Sequence, residues 1–552
     1  MAVYELRPEQ EKLCHDVILE LYNFIELADE ALLDQRKVEK IRNQVTKKHL
    51  ATPPRNIELI AAYNKLVEEG TIEPNDTIFS FLVKRKIRSS SGIANITVLM
   101  KAFGCPGKCI FCPTQPDMPK SYFSNQPAML RAVRNNFDCY KQMKTRLNGL
   151  QTQGHDISKV DVRTAGGTWS SYLLDYQEFF VKSIYFALNE GPGDFLPNEE
   201  ATKRITAASL EDLITENETA KCRCVGLWVE TRPDWVDEAE VTRLRRFGVT
   251  GIELGIQTTN DEVNNFNRRG HGLAESIKAT QLCRDAGLKI CHHIMPNLPT
   301  ASIQSDLQTV TDLFGKGWLE PDYIKVYPCM VTPYTTLAKM VEKDPSIFTA
   351  YTDDQLTKIV TTIIQMVPEY CRIIRILRDF PSEVVLQGTK MSNLRQIISN
   401  SGVTSRDIRS REIRGNNYIP TNVKLITRQY QANEGEEFFI SFEDTIQDKL
   451  IGLVRLRLPQ NKNTYIPELT DAALVRELHV YGTQKSLNKD KKDSLKSKTQ
   501  HKGYGRHLME AAEQTAAAAG YKKIAVISAI GTREYYKKLG YELEGTYMVK
   551  GI

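Results

Sequence analysis

Cys105, Cys109 and Cys112 stand at C-x3-C-x2-C spacing inside the segment Gly104–Pro113, GCPGKCIFCP. Three thiolates this close suit three irons of a 4Fe–4S cluster and leave the fourth iron open, whereas a ferredoxin-type run supplies a fourth cysteine. An open iron suits a chelating cofactor, and S-adenosylmethionine offers an α-amino and an α-carboxylate group. The chemistry implied is radical generation, which no side chain performs unaided. The alternatives are a zinc knuckle or three incidental buried thiols. Zinc takes four ligands, and the nearest other thiol or imidazole is His49 on one side and Cys139 on the other.

Other residues whose type and spacing suggest chemistry lie far along the chain. Gln500–Arg506 (QHKGYGR) precedes an Ala-rich stretch, Leu508–Ala519. Backbone N–H groups of Gly503, Tyr504 and Gly505, together with the start of that helix, would face a pyrophosphate. Gly166 and Gly167 follow a β-rich run, where a glycine pair lets the backbone approach a ligand; they also suit an ordinary turn. Glu230, Arg232 and Asp234 close another such run and could be salt-bridged ends or line a site. His292 and His293 are adjacent on a third, so strand alternation turns only one of them inward.

Positioning these groups requires an α/β scaffold. Between Ile93 and Pro328, six β-rich runs alternate with helical segments: Ile96–Lys101, Val160–Ala165, Val225–Glu230, Gly251–Leu254, Lys289–Met295 and Tyr323–Tyr327. Near-continuous apolar runs predict buried parallel strands. Six βα units predict a partial TIM-like (β/α)6 barrel with its chemistry at the C-terminal strand ends. The cysteine segment follows the first strand, as that rule requires.

Residues 1–90 read as helical and basic, with Arg36, Lys37, Lys40, Arg42, Lys47 and Lys48, then Lys84, Arg85, Lys86 and Arg88. Such runs suit a solvated face or phosphate contacts. Toward the C-terminus, Glu437–Arg457 predicts two antiparallel strands and Leu474–Tyr481 a third, followed by a Lys-rich loop at 485–502. A further strand, a short helix with Tyr535 and Tyr536, and LGYE complete an α+β unit. This order of elements resembles the GNAT acetyltransferases, which bind the acetyl-CoA pyrophosphate on the glycine turn.

The chain has 552 residues, 41% of them hydrophobic, with a net charge of +5 and 11 cysteines. That length predicts several domains, and the odd cysteine count fits reduced thiols better than a disulfide framework. Without an 18-residue apolar run or a signal-peptide core, a cytoplasmic protein that does not enter membranes is expected.

A radical SAM barrel joined to a GNAT unit, with AGGTW, CVGLWVETRPDW, GIELGIQT, NRRGH, HHIMPNLP, IKVYP, VRELHVYG, HKGYGRHLMEAAE and YYKKLGYE in that order, resembles the Elongator protein 3 family. The resemblance runs from about Arg85 to the C-terminus. It implies a helical, tRNA-binding region at 1–90, a radical SAM domain at 91–395, a basic linker at 396–420 and a GNAT domain at 421–552. It also implies an enzyme that places a carboxymethyl-type group on C5 of the wobble uridine, at the anticodon stem-loop of tRNA. In the family's proposed mechanism a 5′-deoxyadenosyl radical takes hydrogen from the methyl of acetyl-CoA, and the carbon radical adds to uridine.

By the same resemblance, Cys105, Cys109 and Cys112 hold the cluster, and Gly166 and Gly167 meet the methionyl amine of S-adenosylmethionine. Lys159, Glu477, Leu478, His479, Val480, Gly503, Tyr504, Gly505 and Tyr535 match acetyl-CoA positions, with Tyr535 and Tyr536 as catalytic candidates. A homodimer or Elongator-like partner subunits are left open. The other activity proposed within the family is protein lysine acetylation with a structural cluster.

Three departures stand out. The tight first cysteine spacing differs from eukaryotic members. Ser405, Asp407 and Ser410 occupy the C-x-C-x2-C zinc positions of many microbial members, so no zinc is expected. Asn297 replaces an aspartate. Arg372, Arg375, Arg378, Arg395, Arg406, Arg409, Arg411 and Arg414 give the segment between the domains a basic character suited to RNA, or to ion pairing.

Overall fold

In the computed structural model, the first sheet is built of seven parallel strands in sequential order: β1 (Ala94–Leu99), β2 (Lys159–Ala165), β3 (Arg223–Thr231), β4 (Gly251–Gln257), β5 (Lys289–Ile294), β6 (Tyr323–Val326) and β7 (Arg372–Ile376). The structure describes residues 8–27, 33–83, 92–391, 393–414, 418–461, 464–482 and 503–552. The strands pair in register from Ala94 against Val160 to Tyr323 against Arg372. β1 and β7 do not pair with each other, so the barrel keeps an open seam. All six expected strands are present. The seventh, RIIRI, is not among the six strands expected from the sequence; its Arg372 and Arg375 belong to the arginines that make the segment between the domains basic.

Crossover helices cover the outside because their apolar faces match the sheet. Their starts are fixed locally: the side chains of Asp138, Asp237, Ser302 and Thr352 each accept a backbone N–H of the first turn. Such a cap satisfies a donor that the helix itself leaves unpaired. β4 is the extreme case of a buried parallel strand, with Gly251–Ile256 all buried.

The N-terminal helices Pro8–Leu27, Gln35–Lys48, Asn56–Glu68 and Asp76–Leu82 enclose a separate core that includes Val17, Leu21, Ile41, Leu59 and Leu66. The expected basic cluster at Lys84–Arg88 lies outside the described residues, as does the Lys-rich loop 485–502 with His501 and Lys502 of the glycine turn.

A second sheet holds β8 (Val423–Gln431), β9 (Gly435–Asp444), β10 (Lys449–Pro459), β11 (Ala472–Val480), β12 (Lys523–Val526), β13 (Glu542–Glu544) and β14 (Tyr547–Gly551), in the order β13-β14-β12-β11-β10-β9-β8. Every pair is antiparallel except β11–β12. That parallel pair ends at Val475 against Val526, while β11 runs on to Val480. β11 therefore has, beyond Val475, a strand edge that β12 does not use. The helix Tyr504–Ala518 packs across β9, β10 and β11.

The second sheet seats against the N-terminal ends of the barrel strands. Asp322, the residue before β6, accepts Arg476 Nη1 at 2.7 Å and Nη2 at 2.6 Å. Tyr323 Oη donates to Glu477 Oε1 at 2.5 Å. Tyr547 Oη donates to the Ala286 carbonyl ahead of β5 at 2.9 Å, and Arg533 Nη1 bonds Glu218 ahead of β3 at 2.9 Å. The cysteine segment follows β1 at the other end. No helix among the described residues is long and apolar enough to cross a membrane.

Candidate active site

The C-terminal mouth of the barrel opens into a cavity of about 730 Å³. Cys105, Cys109 and Cys112 line it together with Gly167, Thr168, Glu230, Arg232, Arg269 and His293. The loop is held by its own surroundings: Ile110 N donates to Asn267 O at 3.2 Å, and Leu337 N to Ile110 O at 2.8 Å. Cys105 Sγ lies 3.5 Å from Thr168 Oγ1 and accepts Gly107 N at 3.4 Å. Cys109 Sγ accepts Arg269 Nη1 at 3.1 Å and Arg232 Nη1 at 3.8 Å. A Cβ on Gly107 would fall 2.1 Å from Arg232 Nη1, so only glycine admits that guanidinium. Arg232 is in turn fixed by Asp234 (2.9 and 2.8 Å) and by the Arg269 carbonyl at 2.6 Å.

Three thiols facing one cavity, with two guanidiniums on the central one, form a donor set that suits three irons of a cluster with one iron left open. Burial, then Cys109, pushes the Cys112 thiol up to about 11. A coordinating metal reverses that balance, because a metal-bound thiol is deprotonated. Gly166 (φ +136°) and Gly167 (φ +109°) take backbone angles that L side chains avoid, and Tyr172 Oη pins the Gly166 carbonyl at 3.1 Å. Gly167 lines the cavity beside the cysteines, whereas Gly166 is buried against Met100.

Deeper in the barrel, Glu253 accepts Arg163 Nη1 at 2.6 Å and pairs with His293 Nε2 at 2.9 Å and with Lys325 Nζ. Burial opposes its charge, yet Lys325, His293 and Arg163 outweigh burial and hold the carboxyl well below the usual range. Glu253, Cys291 and His293 bring ligand-type atoms within 4.8 Å of one another. Two cationic side chains already neutralise this carboxylate, so a metal ion there would face Arg163 and Lys325. His293 faces the cavity, whereas His292 turns outward onto Thr280 Oγ1 at 3.1 Å.

At the opposite end, Gly503 (φ +76°) starts the helix Tyr504–Ala518. A Cβ on Gly505 would lie 2.8 Å from Tyr535 Oη and 3.8 Å from Val480 Cγ2. The glycine turn, the end of β11 and Tyr535 therefore meet at one notch. Tyr535 remains 40% exposed, and burial, partly countered by Arg506, raises its phenol. Tyr536 turns into the domain core beside Tyr541. The Glu477 carboxylate points away from the notch, onto Arg455 Nε (2.8 Å) and Tyr323. Only its main chain remains for a ligand there. Lys159 opens β2 beside Arg223 at the end of the barrel that faces the second sheet, and Gly531 packs against Arg223 Cβ. Burial, then Arg223, lowers the Lys159 ammonium.

The cavity also runs down the open seam, past Asn95, Thr97, Ile374, Arg375 and Arg409. Arg409 Nη1 donates to the Ile374 carbonyl at 2.5 Å and Arg395 Nη1 to the Ile373 carbonyl at 3.0 Å, satisfying the free edge of β7. At the foot of the seam, Arg372 Nη1 donates to Tyr481 Oη at 3.3 Å, and the Tyr481 ring lies 4.2 Å from that of His479.

The Radical SAM superfamily profile matches residues 175–313, the Radical_SAM C-terminal domain residues 321–401 and the GNAT acetyltransferase family residues 409–541. The tRNA uridine(34) acetyltransferase of Methanocaldococcus infernus is 36% identical over 541 residues, 94% of this chain and 96% of that protein. The Elongator complex protein 3 of Schizosaccharomyces pombe is 34% identical over 566 residues, 98% of each chain.

This chain belongs to the Elongator protein 3 family. The structure of the Methanocaldococcus infernus Elp3 lacking residues 1–46 matches with a TM-score of 0.70 at 35% identity, covering 84% of this chain and 100% of that one. As an Elongator protein 3 homologue, the chain is an enzyme that joins a radical SAM half-barrel to a GNAT acetyltransferase domain.

At the three positions that resemblance aligns with zinc cysteines, this family member ties a hydrogen-bonded knot. Ser405 Oγ and Ser410 Oγ donate to Asp407 Oδ1 at 2.8 and 2.5 Å, and Ile373 N and Arg409 N donate to its Oδ2 at 3.1 Å each. Asn297 also has a physical role: its Oδ1 accepts Tyr351 N at 2.8 Å while its Nδ2 donates to Thr349 O at 3.1 Å. An aspartate could not make the second bond. Sequence reasoning missed Arg269, whose role only the fold reveals, although it sits in the NRRGH segment.

Proposed function

We propose that this protein installs a carboxymethyl-type group on C5 of the wobble uridine of tRNA, taking the two carbons from acetyl-CoA. The observation that carries this reading is the single cavity that joins the cysteine mouth to the arginine-lined seam, whose foot lies beside the GNAT domain. A continuous cleft of this kind would let a two-carbon unit arriving from the seam side and a nucleobase meet at the cysteine end.

Cys105, Cys109 and Cys112 would hold a 4Fe–4S cluster, and Gly166, Gly167 and the polar lining would hold S-adenosylmethionine. When bound, these groups supply a hydrogen-abstracting radical. The residues of the chain do the rest. Arg232 and Arg269 donate to the Cys109 sulfur and fix its position. Gly503, Tyr504 and Gly505 would receive the pyrophosphate of acetyl-CoA at a helix N-terminus. The main chain of Glu477, Leu478, His479 and Val480 offers the strand edge beside which pantetheine amides pair. Tyr535 stands over the same notch, and Lys159 adds positive charge from the barrel side.

Of the eight arginines expected to favour RNA, Arg372, Arg375, Arg395, Arg406, Arg411 and Arg414 pair with carboxylates, so Arg378 and Arg409 are the ones best placed to meet a phosphate backbone. Burial, then Arg395, Arg372 and Arg414, pushes Arg409 down to about 10. Protein lysine acetylation lacks comparable support, since the Glu477 carboxylate turns away from the notch and is committed to Arg455 and Tyr323.

The test is anaerobic incubation of the reconstituted protein with acetyl-CoA, S-adenosylmethionine, a reductant and tRNA, followed by nucleoside mass analysis. A C5-modified uridine together with 5′-deoxyadenosine supports the reading. Deoxyadenosine with no modified uridine in any tRNA removes the substrate while leaving the radical chemistry in place.

A further inference from the structure

The backbone at Tyr334 has a conformation its side chain does not favour. Its φ is +62°, in a Pro333-Tyr334 turn where glycine would ordinarily supply that angle. Left-handed backbone at a bulky residue is rare and persists only where the surroundings impose it, often at functional sites. Here they do impose it. The Tyr334 carbonyl accepts Thr114 N at 2.9 Å, one residue past the cysteine segment. Thr335 Oγ1 caps the next helix through Ala338 N at 3.0 Å, and Leu337 N is tied to Ile110 O. The backbone is fixed on both sides, yet Tyr334 is 54% exposed. The strain therefore serves no core; it presents a flat aromatic surface to solvent at the rim of the mouth.

A second ring brackets the other end of the same segment. Phe103, directly before Gly104, is 39% exposed and stacks on Tyr172 at 4.8 Å and 26°. Lys120, Arg131 and Arg378 lie in the cavity lining. Arg378 is immobilised, bonded to Ser121 O at 2.8 Å and lying 4.7 Å over the Phe380 ring. Fixed aromatic faces beside fixed cations are the combination that binds single-stranded nucleic acid: phosphates pair with the cations, and unstacked bases lie on the rings. A base that leaves its stack to enter the cavity also exposes the faces of its neighbours.

We propose that Tyr334 and Phe103 form a stacking rim that takes the bases flanking the target nucleotide of an RNA loop. The proposal deepens the tRNA reading above and rests on it.

The test titrates the full chain with an anticodon stem-loop RNA carrying 2-aminopurine next to the target uridine. Wild type and Tyr334→Phe should quench the fluorophore on binding. Tyr334→Gly, whose backbone suits the turn better, should melt no lower than wild type. Yet it should lose the quench and bind about tenfold more weakly, the usual effect of one lost base–aromatic stack. Phe103→Ala should weaken binding similarly. The slope of log Kd against log salt should stay at the wild-type value in each variant, because no phosphate contact is removed. Wild-type affinity and quenching in both Tyr334→Gly and Phe103→Ala overturn the rim while leaving the tRNA reading intact. A wild-type protein that binds no RNA loop removes both.

Discussion

Asp322→Asn should loosen the junction of the two domains. Asp322 is fully buried and accepts both terminal nitrogens of Arg476 at 2.7 and 2.6 Å and Ile290 N at 2.9 Å, with Arg455 at 3.4 Å. Breaking one partner of a buried pair costs about 3–5 kcal/mol, because the other charge stays buried. Arg476 keeps Glu437 at 2.8 Å and Arg455 keeps Glu477 at 2.8 Å, which places the loss at the lower end, about 3 kcal/mol. For a domain of this size that lowers Tm by roughly 6–12 °C.

The assay is scanning calorimetry of the full chain, with the GNAT transition expected to separate from that of the barrel. Arg246→Ala is the control: its pairs with Glu178 and Glu211 lie at a side chain 51% exposed, and such pairs contribute about 1 kcal/mol or less. The acid limb gives an independent check. Burial opposes the Asp322 charge, but Arg476 and Arg455 outweigh it and hold the carboxyl far below its ordinary value. A depressed carboxyl stabilises the fold above its unfolded pKa and loses that contribution as pH falls toward the folded value. Wild type and variant should therefore begin to approach each other only as pH falls below about 4. A variant that melts within about 1 °C of wild type at pH 7, or no lower than Arg246→Ala, would refute the reasoning.

Gly107→Ala should drive Arg232 off Cys109, since the new Cβ falls 2.1 Å from Nη1 of a side chain already fixed by Asp234; iron bound after reconstitution should drop with little change in Tm. Gly505→Ala overpacks the notch against Tyr535 Oη and should weaken CoA binding about tenfold by calorimetry. Asp407→Ala strands two hydroxyls and two backbone N–H groups, so its urea midpoint should fall by the equivalent of about 3 kcal/mol, while a chelator leaves the wild-type midpoint unchanged. Glu320 is buried, and burial, partly offset by Arg284, raises its carboxyl to about 7. A raised carboxyl stabilises the fold at low pH and loses that contribution as pH rises through 7, so Glu320→Gln should gain on the order of 2–3 kcal/mol at pH 8 and nothing near pH 4.5.

What could be read in advance divides along physical lines. The cysteine segment and the glycine turn were legible because each works through local spacing, which a sequence displays directly. β4 was legible because a strand buried on both faces is continuously apolar. β7 was not: RIIRI carries two arginines, and it is a strand only because Ile373 and Ile376 pair with β6 while Arg395 and Arg409 satisfy its free carbonyls. The Glu477 carboxylate, the Asp322 junction and Arg269 belong to contacts between distant segments, and no periodicity announces those. The Ser405, Asp407 and Ser410 positions were visible as missing thiols; that they bond to one another required the fold.

The central claim is that the cysteine mouth and the GNAT notch act on the same acetyl group. Incubation with acetyl-CoA deuterated on its methyl group, S-adenosylmethionine, a reductant and tRNA tests it directly. Mass analysis should find deuterium in the released 5′-deoxyadenosine and two deuterons in the group added to uridine. Undeuterated 5′-deoxyadenosine formed alongside a modified uridine would contradict it.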